Sequence, residues 1–340
     1  MRRLSLRLTA LVMAALLVTS VAAGCSKAPV TTPTTQAPTA EKRFKIGVSV
    51  ATMQESVYSF MKKAIEEQAA KDGVDIVWVS ADNKEEKQLG DVENLLSQGI
   101  QALVLHSVNT GAAANLVAKA KAKNVPVVAM DRLPENTSDV ALYVTADSKK
   151  VGQEQARYLA DKLGGKGKVI ILEGEAGNGV ARDITAGNKE VLSQHPGIQI
   201  VADQAHKSWA RDLAMATVEN VLTKEKNDIQ GILANNSGMA MGAVQALKKR
   251  GLAGKVLVIG SDADLDACQS IIAGELTADV DKKPIELGLA SYRAALALAR
   301  GQAVNGDTAV GSVKVQLTPI QLIDKANVDT MTYRWPELKK

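Results

Sequence analysis

The sequence predicts an α/β fold built from doubly wound parallel sheets, and three observations carry that reading. From Lys45 onward, short β-branched apolar runs alternate with longer amphipathic stretches. The runs are largely apolar over four to six residues, as in parallel strands covered on both faces. The series also runs twice, first closing near Asp147 and then restarting at Lys168–Leu172. In order, the strands are expected at Lys45–Val50, Asp75–Val79, Ala102–Leu105, Pro126–Met130 and Ala141–Val144. The second set falls at Lys168–Leu172, Ile198–Val201, Ile229–Leu233 and Val256–Ile259, followed by the short apolar stretch Leu276–Val280. Helical periodicity marks Tyr58–Asp72, Glu85–Gln98, Val151–Leu163 and Ala210–Leu222. Strand, helix, strand at this spacing means right-handed crossovers.

The first residues suggest export. Arg2, Arg3 and Arg7 precede a run without polar residues, Ala10–Val18, which is too short to span a bilayer as a stable helix. The run leads to Val21-Ala22-Ala23-Gly24-Cys25, small residues before a cysteine. This resembles a bacterial lipoprotein cleavage box, with Ala22 where the pattern usually has Leu. Residues 1–24 are thus expected to be a signal peptide, with lipid carried on Cys25 as a membrane anchor. Residues 25–43, rich in Pro, Thr and Ala, are expected to be a solvated tether.

Removing residues 1–24 takes away three arginines and no acid, leaving 38 basic against 37 acidic side chains. So even a balance gives no argument for nucleic acid. Cys25 and Cys268 are the two cysteines, and with Cys25 lipidated no disulfide framework is expected. Cys268, among Ala267, Ile271 and Ile272, reads as a small core residue. His106, His195 and His206 are dispersed without metal-ligand spacing, and no metal or other cofactor is expected. Trp78 reads as core and Trp335 as packing the tail down. Gly174–Gly179 lacks the glycine spacing of a dinucleotide loop.

In open parallel sheets ligands sit beyond the carboxyl ends of the strands, so the residues there bear on chemistry. Gln54, Glu55 and Tyr58 follow the first strand, and Asp131 and Arg132 the fourth. The second half offers Asn178 and Arg182, then Trp209, Asn235 and Asn236, Asp262 and Asp264, and finally Lys282 and Lys283. Carboxylates accept from hydroxyls, Arg and Asn make paired contacts, and aromatic rings cover C–H faces. The set suits a polyhydroxylated ligand, although any one Asp or Asn after a strand can equally be a helix cap.

In these residues the chain resembles the periplasmic sugar-binding proteins of pentose and hexose ABC importers, the xylose-binding type most of all. The resemblance rests on Ala129-Met130-Asp131-Arg132-Leu133, Ala202-Asp203-Gln204 with Trp209 downstream, Ala234-Asn235-Asn236, Gly242–Leu247, Ser261–Leu265 and Lys283-Pro284-Ile285. It covers the chain from Lys45 to Ile320. It implies a type I periplasmic-binding-protein fold with two lobes and three crossings, near Thr145–Ser148, Val280–Pro284 and Gln316–Ile320. The lobes would comprise 44–146 plus 283–316 and 147–282 plus 317–340. It further implies that Asp131 and Arg132 grip sugar hydroxyls from one lobe, and Asn236 and Asp262 from the other. Trp209 and Tyr58 would cover the two faces of the ring, Tyr58 standing where the xylose-binding type has Trp. Lys282 would stand near a crossing, with Lys283 an alternative. Arg182 falls on a lysine of the xylose-binding type and on a ligand arginine of the ribose-binding type. The loop Ala51–Val57 lacks the charged residues of the xylose pattern, and Ser237 stands where Asp usually follows the Asn.

The expectation is therefore an extracytoplasmic binding lipoprotein, monomeric and not an enzyme. It would capture a monosaccharide, xylose first with ribose, arabinose, galactose, glucose or an inositol open, and present it to an ABC permease. A sensor feeding a chemotaxis or kinase receptor would read the same closed form. A repressor would need a DNA-binding helix pair before Lys45, and a hydrolase a Gly-x-Ser-x-Gly elbow; the sequence has neither.

Overall fold

The computed structural model describes residues 43–339 apart from Glu55. The expected signal peptide, the lipid site at Cys25, nearly all of the tether and Glu55 lie outside the described residues.

The first series comprises β1 (Lys45–Val50), α1 (Ser56–Asp72), β2 (Asp75–Ser80), α2 (Glu85–Ser97), β3 (Ala102–Leu105), α3 (Ala113–Ala122), β4 (Val127–Met130) and β5 (Val140–Ala146). The second comprises α4 (Ser148–Leu163), β6 (Lys166–Glu173), α5 (Gly179–Leu192), β7 (Gly197–Ala205), α6 (Arg211–Lys224), β8 (Gly231–Ala234), α7 (Ser237–Lys249), β9 (Leu257–Ser261), α8 (Leu265–Ala273) and β10 (Ala278–Asp281). Then follow α9 (Pro284–Ala299), β11 (Thr308–Val310), β12 (Val313–Thr318) and β13 (Gln321–Asp324).

Two sheets result, in the orders β11-β12-β5-β4-β3-β1-β2 and β13-β10-β9-β8-β6-β7. All their pairings are parallel except those of the edge strands β11 and β13. In the first sheet Val48 lies between Trp78 and Val104. The period of two sends alternate side chains to opposite faces, and each face has its own core. Val104 faces Val48, Met130, Ile65 and Tyr292, whereas Leu103 and Leu105 face Leu95, Val117 and Ala129. In the second sheet Ile170 and Leu172 join Val218, Val244 and Ile271, while Val169 and Ile171 join Leu159 and Val191.

The chain passes between the sheets after β5, after β10 and after β12. Asp147 stands at the first passage and caps α4, its carboxylate accepting from Lys150 N at 3.0 Å, a contribution of about 1 kcal/mol. Lys283 stands at the second, in a left-handed conformation with φ 50° just ahead of Pro284. At the third, β12 pairs with β5 as far as Thr318 opposite Ala146, so Leu317 and Thr318 stay with the first sheet. The boundary expected after residue 316 thus falls within β12. Trp78 lies on the edge strand β2 and is half-buried, its indole N–H donating to Met53 Sδ at 3.3 Å. Cys268 is buried, with its thiol pushed up to about 12 by burial.

Candidate ligand-binding cleft

The carboxyl ends of both sheets open onto one cavity of about 330 Å³. From the first sheet it receives Val57, Tyr58 and Met61 of α1, His106 after β3, and Met130, Asp131 and Arg132 at the end of β4. From the second it receives Asn178, Ser208 and Trp209, Asn236, Asp262, Asp264 and Lys282. Pro284 and Leu287 of α9 complete the wall.

On the first side, Asp131 has φ 64°, held by its N–H donating to Val144 O and its carbonyl accepting from the Tyr143 hydroxyl, both at 2.8 Å. This backbone turn aims the carboxylate into the cleft rather than along the strand. His106 is fully buried beneath it. Ala51 N–H donates to His106 Nδ1 at 3.3 Å, which fixes that nitrogen as acceptor and places the ring proton on Nε2. Nε2 stands 3.2 Å from the Tyr58 hydroxyl and 3.5 Å from Asp131 Oδ2. Burial, assisted by the Arg132 charge, lowers the imidazole pKa, so His106 works neutral. Burial pulls Asp131 upward, but the His106 hydrogen bond and the charges of Lys282 and Arg132 outweigh it. They hold the carboxyl well below the usual carboxylate range. Arg132 donates to the carbonyls of Ser107 and Val108, at 3.1 and 3.4 Å, which anchors its head beside the cleft.

On the second side, Asn178 and Asn236 are both helix caps. The Asn178 side chain accepts from Val180 N and Ala181 N, and that of Asn236 from Met239 N at 2.8 Å. The capping and cleft readings are compatible, because capping uses the carbonyl oxygen and leaves the amide NH₂ facing the cavity. Asn235 is absorbed by the fold, donating to Ala181 O and Thr185 Oγ1. Gln155 of α4 donates to Ala234 O and Gly260 O, both at 2.8 Å, and so fixes the ends of β8 and β9 from behind. Asp262 meets Lys282 Nζ at 2.6 Å, and burial raises its carboxyl against that pull. Lys283 is occupied elsewhere, donating to Gln321 at 2.6 Å and pairing with Asp281 at 3.3 Å. Of the two lysines, Lys282 is the one that lines the cavity.

The Trp209 ring lies directly over Gly174: a Cβ placed there would meet the ring at 2.4–2.5 Å. Gly174 thereby sets the depth of the indole in the cleft. Gly174→Ala is expected to push the ring toward the cavity, weaken ligand binding about tenfold, and leave the melting temperature nearly unchanged. Calorimetric titration beside a thermal melt checks both halves.

Arg182 is the expected site residue that the cavity does not include. It sits one turn into α5, is exposed, and its guanidinium donates back to Gly177 O at 2.6 Å rather than lining the cavity. Gln54 is exposed and does not line the cavity. His106 is the converse, passed over in the sequence yet central here; the strand-end rule applied to β3 points to it.

Behind the cleft, Ser237 and the fully buried Asp279 share a hydrogen bond of 2.8 Å, and Ala263 N–H donates to the same carboxyl at 2.9 Å. Burial pushes Asp279 well above the ordinary carboxyl range. A carboxyl raised by folding stabilises below its unfolded pKa and loses that contribution as pH rises through the folded one. Asp279→Asn, which mimics the protonated group, is therefore expected to raise the melting temperature by a few degrees at pH 7 and not at pH 4. Melts at the two pH values check it.

Two doubly wound lobes with their strand ends facing a polar cleft define a type I periplasmic-binding-protein architecture. The family model of the periplasmic binding protein domain matches residues 46–303, and the chain belongs to that family. It is 36% identical over 264 residues to the ribose import binding protein of Bacillus subtilis, covering 78% of this chain and 84% of that one. To the D-xylose-binding periplasmic protein of Escherichia coli the identity is 31% over 295 residues, covering 84% and 88%. A solved ABC transporter solute binding protein from Bacillus halodurans with bound myo-inositol matches with a TM-score of 0.77 at 26% identity. That match covers 86% of this chain and 98% of the other. Among the described residues no helix is long and apolar enough to cross a membrane, and no His, Cys, Asp and Glu side chains cluster as a metal site.

Proposed function

We propose that the chain captures a monosaccharide in the cleft, D-xylose first among candidates, and delivers it to the permease of an ABC importer. It acts outside the cytoplasm as a monomeric binding protein without catalysis, held to the membrane by lipid on Cys25. The observation that carries this reading is convergence: hydroxyl-binding groups from both sheets meet in one 330 Å³ cavity. Asp131, Asp262 and Asp264 stand there against Arg132 and Lys282, a nearly balanced set suited to a neutral ligand and not to an anion. Tyr58 and Trp209 supply rings for C–H faces, and Asn178 and Asn236 supply amide donors. His106 joins them as the proton donor that orients Asp131. Relatives named for ribose and D-xylose, and a solved relative holding myo-inositol, support the ligand class.

The lobes are 44–146 plus 283–318 and 147–282 plus 319–339, and a sugar touching both favours the closed arrangement by its differential affinity. The test is a fluorescence and calorimetric titration with D-xylose, D-ribose, L-arabinose, D-galactose, D-glucose and myo-inositol. A saturable signal with one of them, lost in Trp209→Phe for the fluorescence arm, is the expected result. Silence in both arms across the panel overturns the reading.

A further inference from the structure

An ionic and aromatic cluster stands directly behind the cleft, built by residues 333–335 near the end of the chain. Arg334 is almost fully buried and Asp281 wholly so, with Nη1 3.0 Å from the Asp281 carboxylate. The other terminal nitrogen of Arg334 donates to two successive main-chain carbonyls, those of Asp262 and Ala263. Trp335 Nε1 donates to the Ala263 carbonyl as well, at 2.9 Å. Tyr333 donates to Asp281 at 3.1 Å, and Lys283 Nζ lies 5.5 Å from the centre of its ring. None of the three residues lines the cavity.

The two carbonyls they hold belong to a distorted turn. Asp262 has φ 113° and Ala263 φ 51°, conformations that non-glycine residues keep only where the surroundings over-determine them. This turn decides where the Asp262 carboxylate points. A planar guanidinium can hold a carboxylate and carbonyls in one fixed fork, which an apolar filler cannot do. The cluster also reaches the first lobe: Phe60 of α1 stands edge-on to Trp335, with centroids 4.9 Å apart and planes at 89°. Phe60 is two residues from Tyr58 and next to Met61, both of which line the cavity.

We propose that Tyr333, Arg334 and Trp335 form a positioning clamp that holds the Asp262–Ala263 turn in its left-handed backbone and fastens it to α1 through Phe60. The clamp touches no ligand and acts through Asp262. Its effect on affinity rests on the sugar-binding reading, whereas its hold on the turn does not.

Two variants loosen the clamp at different points. Arg334→Lys keeps a cation opposite Asp281 but cannot span carboxylate and carbonyls together. Trp335→Phe keeps an aromatic ring against Phe60 and loses the N–H donor together with part of the indole's buried bulk. Hydrogen exchange on the ligand-free protein is expected to show the amides of residues 262–264 exchanging about tenfold faster in each variant. Protection in β1 and β8 should stay at the wild-type level. Unchanged exchange at 262–264, or an equal loss across the whole lobe, overturns the clamp. Sugar titration of the same variants should then show affinity lowered about tenfold. Wild-type affinity in a variant whose turn has loosened overturns the link to binding. A wild-type protein that binds no sugar removes the sugar reading, and the exchange result still decides the clamp.

Discussion

Asp131→Asn is expected to weaken sugar binding by about two orders of magnitude while the chain stays folded. The asparagine fits the backbone, because at φ 64° Asn is among the few residues that tolerate the left-handed region. What it removes is charge and one acceptor. In the native cleft the carboxylate is held ionised by His106, Lys282 and Arg132 against burial, so both oxygens accept at any pH near neutrality. One oxygen takes the His106 Nε2 proton, and the other is available to ligand hydroxyls. With an amide, the oxygen can satisfy His106 only by turning the NH₂ toward the sugar, and the reverse flip sets donor against donor. Arg132 and Lys282 also lose a counter-charge, and stranding buried charge is what makes such truncations costly. Titration calorimetry at pH 7 on the preferred sugar measures the loss. Affinity within threefold of wild type would show that the ligand is gripped elsewhere.

Much of this site was legible because topology makes it so. In a parallel sheet the residue after each strand has nowhere to go but the carboxyl edge, and two such sheets facing each other focus those residues on one cavity. Tyr58, Asp131, Arg132, Asn178, Trp209, Asn236, Asp262 and Lys282 follow that rule and meet there. Arg182 fails because a residue inside the first turn of a helix has a choice, and a long side chain can fold back on the loop that caps it. His106 was hidden for a different reason. Its partners, Tyr58 and Asp131, are distant in sequence, and they become neighbours only because β3 lies between β1 and β4. Strand order is a property of the whole sheet, not of any local run. Met61 and Leu287 were equally unreadable, since an apolar helix position facing a cleft has the same periodicity as one facing a core.

The fold divides along the same line. Strands buried on both faces write continuous apolar runs, and β1, β3 and β4 fall within a residue of their expected spans. The antiparallel edge strands β11 and β13 do not. In β11 all three residues are exposed, and in β13 Ile323 is the sole buried one, so neither has a pattern to read. Their pairing comes from the partner strand they happen to reach. Helix-to-helix contacts are fainter still, because a glycine inside a helix reads locally as a weak helix former, not as a point of contact.

Gly152 is such a point, and Gly152→Ala is expected to destabilise the chain by about 3–5 kcal/mol, enough to lower the melting temperature by about 10 °C. A Cβ at Gly152 would stand 1.9 Å from Ile184 O and 2.9 Å from Asn188 N. The contact is reciprocal, since a Cβ at Gly187 would stand 2.1 Å from Lys149 O. Both obstacles are backbone, so no rotamer change relieves them and α4 must move off α5. That movement breaks a buried polar chain: Asn188 donates to Gly152 O at 2.8 Å and to Gln155 Oε1 at 3.1 Å, and Gln155 in turn holds Ala234 and Gly260. Each buried group left unpaired adds to the steric cost. Gly90→Ala in α2 is the control, because nothing lies within 4 Å of a Cβ there, and helix propensity alone should make it neutral or stabilising by up to about 1 kcal/mol. Scanning calorimetry of the two variants decides: equal melting temperatures would mean that the helices can part freely. Because Gln155 also sets the ends of β8 and β9, where Asn236 and Asp262 begin, sugar affinity should fall in whatever Gly152→Ala protein remains folded, although no atom of Gly152 lines the cleft.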